Sequence, residues 1–331
     1  MKKIDFESHF YNIESVETLK ARKDYPYWTE EDNTIHWLPK VYMSQDKFAP
    51  NLLDFAERRI KIMDELEIEK AIISLAPGID YLPPEESIPA CKAANDALYK
   101  VTQQFPGRFL GSAILPILDV EASIAELERC VKELGFVMWQ THSTYGEGIE
   151  PDDKQFWPVW KKVEELGIFA YLHPVTSRQP KFNDYGYAMA CPGLGFTIDT
   201  QASIVRIILS GMLDEMPNLK ILLGHFGEAL PFLMERMDNR MSMLDMPEQK
   251  NKHKPSYYFG RNIMVTTSGN AYAPAYECTK AALGVDSILI GTDYPFETME
   301  SCINFLDGLS MTTEEREKIY YKNAARLGIT L

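Results

Sequence analysis

An α/β fold built as a parallel (β/α)8 barrel is predicted by two features of this 331-residue chain. Short apolar runs alternate with amphipathic helical patterns along nearly its whole length, which is how a parallel sheet with helical crossovers reads. Four runs end on metal-competent or acid–base side chains: Asp5-Phe6-Glu7-Ser8-His9, Tyr171-Leu172-His173-Pro174, Gly224-His225-Phe226-Gly227-Glu228 and Gly291-Thr292-Asp293-Tyr294-Pro295-Phe296. Functional groups at the carboxyl ends of several strands are the mark of barrel enzymes.

The first strand is predicted at 3–9, with seven more at 70–75, 109–115, 136–141, 168–173, 219–224, 262–266 and 287–291. Their apolar runs suit strands buried on both faces. Helices are expected between them, for example at 53–66, 88–104, 120–134 and 153–166. In the first of these, Leu53, Ala56, Ile60 and Met63 recur at spacings of three and four and share a face. Asp119 stands as the N-cap of the third, and Gly135 where a helix C-cap is expected. Two segments break the alternation. Residues 11–50 follow the first strand as a polar, aromatic, irregular stretch, and 174–200 follow the fifth with Pro174, Pro180 and Pro192. Long loops are uncommon unless functional, and loops after barrel strands surround the active site. Both are therefore expected as lids or pocket walls. Tyr25, Trp28 and Trp37 either line an aromatic pocket or pack the first loop onto the barrel. With no repeat, linker or low-complexity tract, a single domain over 1–331 is expected.

A net charge of −14 argues against a nucleic-acid partner, which calls for a concentrated basic surface. An anionic substrate would need its positive charge from a metal or from arginines in the pocket. Cys91, Cys130, Cys191, Cys278 and Cys302 are widely spaced and form no C-x-x-C pair, so reduced, packed thiols of a cytoplasmic protein are expected. No stretch approaches the ~20 apolar residues of a membrane span, and the amino terminus shows no signal-peptide pattern.

Glu7 and His9 lie two apart on a strand, so both project from one face toward a single metal ion. His173 leaves its strand just before Pro174. Asp293 ends Ile288-Leu289-Ile290-Gly291-Thr292, where a buried charge demands a partner or a cation. Together the four form a candidate mixed N/O ligand set, suited to Zn2+ or Mn2+, with positions open for substrate. His225 and Glu228, at i and i+3 where a helix is expected to start, are close enough for the carboxylate to orient the imidazole as a general acid or base. His36 and His253 are expected on exposed loops. Met234, Met237, Met241 and Met243 are expected in helix packing or a subunit contact.

From Glu7 to about Leu327 the sequence resembles the metal-dependent decarboxylase branch of the amidohydrolase superfamily (the amidohydrolase 2, or aminocarboxymuconate-semialdehyde decarboxylase-like, group), and within it the aromatic acid decarboxylases. The resemblance rests on the four motifs and on Ala94-Asn95-Asp96, Pro106-Gly107-Arg108-Phe109, Thr266-Thr267-Ser268-Gly269-Asn270 and Asn323-Ala324-Ala325-Arg326-Leu327. It implies a distorted (β/α)8 TIM barrel, one divalent metal held by Glu7, His9, His173 and Asp293, and a catalytic pair formed by His225 and Glu228. It also implies substrate contacts at Arg236, at Arg59 and at Phe296 of the last motif, and assembly as a homodimer or homotetramer. The chain departs from the family after the fourth strand. His142 stands in place of a substrate-contacting asparagine, as a substrate ligand, a proton shuttle or a surface histidine. No lysine is present there to bridge a second metal.

The expected activity is non-oxidative decarboxylation of a hydroxylated aromatic or conjugated carboxylic acid, with Asp293 protonating the carboxylate-bearing carbon. In that scheme His225 manages the phenolic proton or a metal-bound water. The alternative is a hydrolase or hydratase using the same metal to activate water. A barrel kept only for binding would not retain the four ligands.

Overall fold

The computed structural model describes every residue except Phe55 and Asp245. Eight parallel strands form one sheet: β1 (Lys3–Phe10), β5 (Ile68–Leu75), β6 (Phe109–Ala113), β7 (Met138–His142), β8 (Phe169–His173), β9 (Lys220–Leu223), β10 (Ile263–Thr266) and β11 (Ile288–Leu289), adjacent in that order. A second sheet holds the antiparallel strands β2 (Tyr27–Thr29), β3 (Thr34–Leu38) and β4 (Val41–Ser44). The barrel is the α/β architecture expected, with all eight predicted strands in place. Its distortion is concentrated at the seam. β11 is two residues long, and β1 meets the last segment through isolated bridges at Asp5–Ile290 and Ser8–Tyr294 rather than a continuous ladder. The buried Asp5 carboxylate stitches that seam, accepting from Thr292 N at 2.9 Å, Thr292 Oγ1 at 2.6 Å and Glu7 N at 3.1 Å.

Strand periodicity sorts the core into two layers. Ile72, Met138, Phe169, Leu222 and Met264 fill the barrel, while their neighbours Ile73, Ala170, Ile221 and Val265 pack outward among the helices. Continuing the inward face of each strand by two-residue steps leads from Phe169 and Tyr171 to His173, and from Met138 and Gln140 to His142. β1 does not follow this rule. Its register shifts by one residue between Asp5 and Ser8, so Phe6 joins the interior cluster and Glu7 follows on the same side. That β-bulge, a device that re-aims side chains beside functional sites, carries Glu7 and His9 inward together.

Several local expectations change. The 53–66 helix is two pieces, Ala49–Leu53 and Glu57–Glu65, because Asp54 leaves helical geometry (φ −90°, ψ 71°). Leu53 is consequently exposed, and Met63 is the apolar side chain that the second piece buries. The segment 11–50, expected to be irregular, contains the helix Ile13–Lys20 and the β2–β4 sheet. His36 sits within β3, half-buried and stacked on Tyr27 at 4.6 Å, rather than on an exposed loop. Asp119 does cap its helix, accepting from Ala122 N at 2.9 Å, and Gly135 takes a left-handed φ of 72° beyond that helix. All five cysteines are free thiols. No described helix is long and apolar enough to cross a membrane.

Candidate metal and acid–base site

At the carboxyl end of the barrel, Glu7, His9, His173 and Asp293 each present a ligand atom, all within 4.8 Å of one another. His9 Nε2 lies 3.3 Å from Asp293 Oδ1 and 3.9 Å from Glu7 Oε1, and His173 Nε2 lies 3.9 Å from that same Glu7 oxygen. Donors bound to one small cation at about 2.0–2.2 Å stand roughly 3–4 Å apart. Glu7 Oε1 and both His9 ring nitrogens are buried with no hydrogen-bond partner, the 3.3 Å approach to Asp293 being misaligned for one. Buried polar atoms are left unsatisfied at a cost, and a cation answers it for this set. The surroundings fix the donors: His173 Nδ1–H donates to Pro174 O at 2.7 Å, leaving the Nε2 lone pair to face the cluster. Thr266 Oγ1 donates to Glu7 Oε2 at 3.0 Å. Asp293 N donates to Glu7 O at 2.9 Å, tying the two ends of the ligand set together.

His225 adjoins this cluster from the end of β9. Its Nδ1–H donates to Glu228 Oε1 at 2.7 Å, Thr197 Oγ1 donates to Glu228 Oε2 at 2.8 Å, and Nε2 lies 3.9 Å from Asp293 Oδ2. The pair does not sit at a helix start. His225, Phe226, Gly227, Glu228 and Ala229 all have φ between 54° and 80°, a left-handed turn that precedes the helix Leu230–Met241. Such backbone is costly for residues with a Cβ. It is held here by Ser268 Oγ on His225 N, by Thr279 Oγ1 on Phe226 O and by Gln201 Nε2 on Glu228 O. Asp293 is also left-handed, with φ 57°.

Electrostatics differ sharply among the three histidines. Burial opposes charge on His225, but the Glu228 carboxylate and the contact with Asp293 hold its pKa well above the ordinary value. Burial likewise opposes charge on His9, which Asp293 and Glu7 raise to about 9. His173 is pushed well down by burial and then by His9 and His142. Burial alone would raise Asp293, yet the facing imidazoles of His225 and His9 hold it below the usual carboxylate range.

A cavity of about 290 Å3 opens onto this cluster, reaching His173, His225, Glu228 and Asp293. Its other walls come from both long segments: Tyr11, Trp37, Met43 and Phe48 from the first, and Val175, Tyr187 and Phe196 from the second. Both segments are pocket walls, as expected. Trp37 lines the cavity, while the buried Trp28 packs edge-on against Tyr11. Phe296 lines it as well, with its ring 5.6 Å from that of His9.

The two arginines expected near the substrate lie elsewhere. Arg59 is fully buried, donating to Ser8 Oγ and to His9 O and lying 4.8 Å from the Tyr294 ring centroid; it braces the end of β1. Arg236 is exposed on the helix Leu230–Met241, outside the cavity lining. No lysine or arginine is among the described residues that line the cavity. His142 is fully buried, which removes the surface reading. It stands in register beside His173, with Nδ1 2.6 Å from Asp80 Oδ2 and Nε2 without a partner. Asp80 and Thr197 escaped the sequence reading, and Thr266 entered it only as part of a family motif, because each acts by supporting another side chain from a distant segment.

Comparison with known proteins places this geometry among relatives. A family described as "Amidohydrolase" matches residues 4–327. The chain is 33% identical over 335 residues to the gamma-resorcylate decarboxylase of Rhizobium sp. (strain MTP-10005), covering 98% of this chain and 97% of that protein. It is 36% identical over 307 residues to the gamma-resorcylate decarboxylase of Rhodococcus jostii (strain RHA1), covering 88% and 92%. Among solved structures it resembles a dihydroxybenzoic acid decarboxylase from Polaromonas sp. JS666 with bound manganese and the inhibitor 2-nitroresorcinol. That likeness has 32% identity, a TM-score of 0.85, and coverage of 98% of this chain and 96% of that one.

Proposed function

The chain belongs to the amidohydrolase family that matches it over residues 4–327, and on that premise we propose that it is a divalent-metal-dependent carboxy-lyase acting on a hydroxylated aromatic acid. The observation that carries the reading is a four-donor cation site whose Asp293 also faces an oriented histidine, at the base of an aromatic-walled cavity. The cavity lies near the lower end of the ~300–1,000 Å3 range of ligand pockets, a size for one substituted ring. Two carboxylates and two imidazoles suit Mn2+ or Zn2+, and manganese is bound in the similar Polaromonas structure. Glu7, His9, His173 and Asp293 would hold a divalent ion, which would supply Lewis-acid charge to an anionic substrate.

Asp293 delivers a proton to the ring carbon that bears the carboxylate. The carbon–carbon bond then breaks, its electron pair returns to the ring, and CO2 leaves. His225 Nε2 faces Asp293 Oδ2, which places it to return a proton to Asp293 after each turnover. Glu228 holds the ring in that orientation by accepting from Nδ1. His142 is fully buried beside His173 and outside the cavity lining, so it backs the ligand set rather than touching the substrate. Since Arg236 is exposed and outside the cavity, it meets an anionic substrate across a contact with a second copy in a homodimer or homotetramer, where its planar fork pairs two oxygens.

The test is CO2 release from a panel of ortho-hydroxybenzoates, with Mn2+ or Zn2+ supplied. Release is expected to depend on metal and to disappear in Asp293→Asn. A folded, metal-loaded protein that instead adds water to its substrate, with no carbon lost, would replace this reading with a hydratase or hydrolase.

A further inference from the structure

The wall of the active-site cavity carries three carboxylates, Glu228, Asp293 and Glu297, and no lysine or arginine among its described residues. Beyond what a cation can neutralise, a substrate placed there has to be held by neutral donors. Most side-chain donors on the wall are already committed. Tyr11 Oη donates to Pro77 O at 2.9 Å, Thr197 Oγ1 and His225 Nδ1 donate to Glu228, and Gln45 Nε2 reaches Met43 O at 3.5 Å. Thr176 Oγ1 pairs with Cys191 Sγ at 3.4 Å. Trp37 and Tyr187 have no such partner among the described residues, and their rings stack with centroids 6.1 Å apart and planes at 29°.

This pair joins the two long segments across the cavity. Val41 is buried with Phe182, Ala190 and Cys191, and Trp37 and Tyr187 pack against that cluster. Lys40 Nζ donates to Asp184 Oδ1 at 2.9 Å, and Gly186, with φ 58°, lies so close to Lys40 O that an added Cβ would come within 2.7 Å of it. Tyr187 is thus held by ring and backbone contacts that leave its hydroxyl unused. Burial, then Cys191 and the Asp293 charge, push this phenol above its ordinary pKa, so it remains a protonated donor within reach of the ligand set's field.

We propose that Tyr187 selects the substrate's ring substituents by donating its hydroxyl to a ring oxygen other than the one beside the carboxylate. The inference rests on the decarboxylation proposed above and narrows its substrate to a ring that carries a further hydroxyl. A hydroxyl is a neutral acceptor that suits this wall. A second carboxylate would bring its charge against Glu228 and Glu297, with no cation from this chain on the wall to meet it.

The test compares kcat/KM for CO2 release from ortho-hydroxybenzoate and from the dihydroxybenzoates that add one hydroxyl at each other ring position. Both the wild type and Tyr187→Phe are assayed as manganese-loaded full chains. The wild type is expected to favour at least one dihydroxybenzoate over ortho-hydroxybenzoate roughly tenfold, and Tyr187→Phe to erase that ratio. A purely structural role would lower every substrate alike and leave the ratio standing, which would overturn the proposal. A wild type that treats all the rings equally would overturn it too. A wild type that releases CO2 from none of them would instead overturn the decarboxylase reading, and this inference with it.

Discussion

Gly269 shows how much a single missing side chain can control. Its φ of 58° is open to glycine, and its α-carbon sits where any Cβ would strike the His225 ring. Gly269→Ala is expected to leave the barrel folded at a cost of about 1–2 kcal/mol and to lower kcat at least a hundredfold by displacing His225. Thermal melts and steady-state rates on the same preparation check both parts; an unchanged kcat would show that His225 is not the acid–base group. Much at this scale was legible in the sequence. A charged or imidazole side chain closing an apolar run is conspicuous, and Glu7, His9, His173, His225 and Asp293 all stood out in that way, Asp293 also because a buried charge without a partner is expensive. Asp80 and Thr197 did not, because their roles depend on which distant strand or helix lies alongside, and one-dimensional spacing carries no such information. Arg59 misled in the opposite direction: an arginine that reads as an anion anchor is spent bracing a backbone carbonyl and a serine.

The segment from His225 to Ala229 illustrates what pattern reading misses in a whole element. A His and a Glu three apart read as one face of a right-handed helix, and the two side chains do meet, but across a left-handed turn. Ala229 holds φ 60° without glycine's freedom. Ala229→Gly is therefore expected to stabilise the protein by about 1 kcal/mol, against the usual cost of that exchange. A urea titration decides it, and a lower midpoint would show that the turn carries no strain there. The bulge in β1 was equally silent, since an extra residue in a ladder leaves no mark on composition. At the seam beside it, burial pushes Asp5 up to about 7, ahead of the opposing bonds from Thr292 and Glu7. The folded state therefore holds this proton more tightly than the unfolded chain. The associated stability is fully present below about pH 4 and lost as pH rises toward 7, by a few kcal/mol. Asp5→Asn should remove that slope at constant metal loading, so its advantage in melting temperature over the wild type should widen from pH 4 to pH 7. A constant difference would mean that Asp5 stays charged throughout.

For the molecule as a whole, eight strands in sequence order were legible because buried parallel strands are nearly continuous apolar runs. The β2–β4 sheet was not, because its strands are short, half-polar and paired only with one another. Metal enters at this scale, since it binds the folded ligand set and not the dispersed chain. Chelation is expected to lower the melting temperature, and Mn2+ at a hundredfold over its Kd to restore about 2.7 kcal/mol; a melt indifferent to chelator would show that the four donors hold no ion. Assembly is testable through Arg236. Arg236→Ala and Asp293→Asn chains, each nearly inactive alone, are expected to regain activity when mixed as oligomers, because one composite site then pairs an intact Asp293 with a neighbour's Arg236. Mixtures no more active than the sum of their parts would confine Arg236 to its own chain.

The seam between β1 and β11 also sets a schedule. Glu7 and His9 leave the ribosome well before Asp293, which completes their ligand set. Until that later segment emerges, β1 has its neighbour β5 on one side and an unfilled edge on the other. The nascent chain can therefore neither close its barrel nor assemble its full cation site until the segment that carries Asp293 has been made, so loading the ion and closing the barrel become one event.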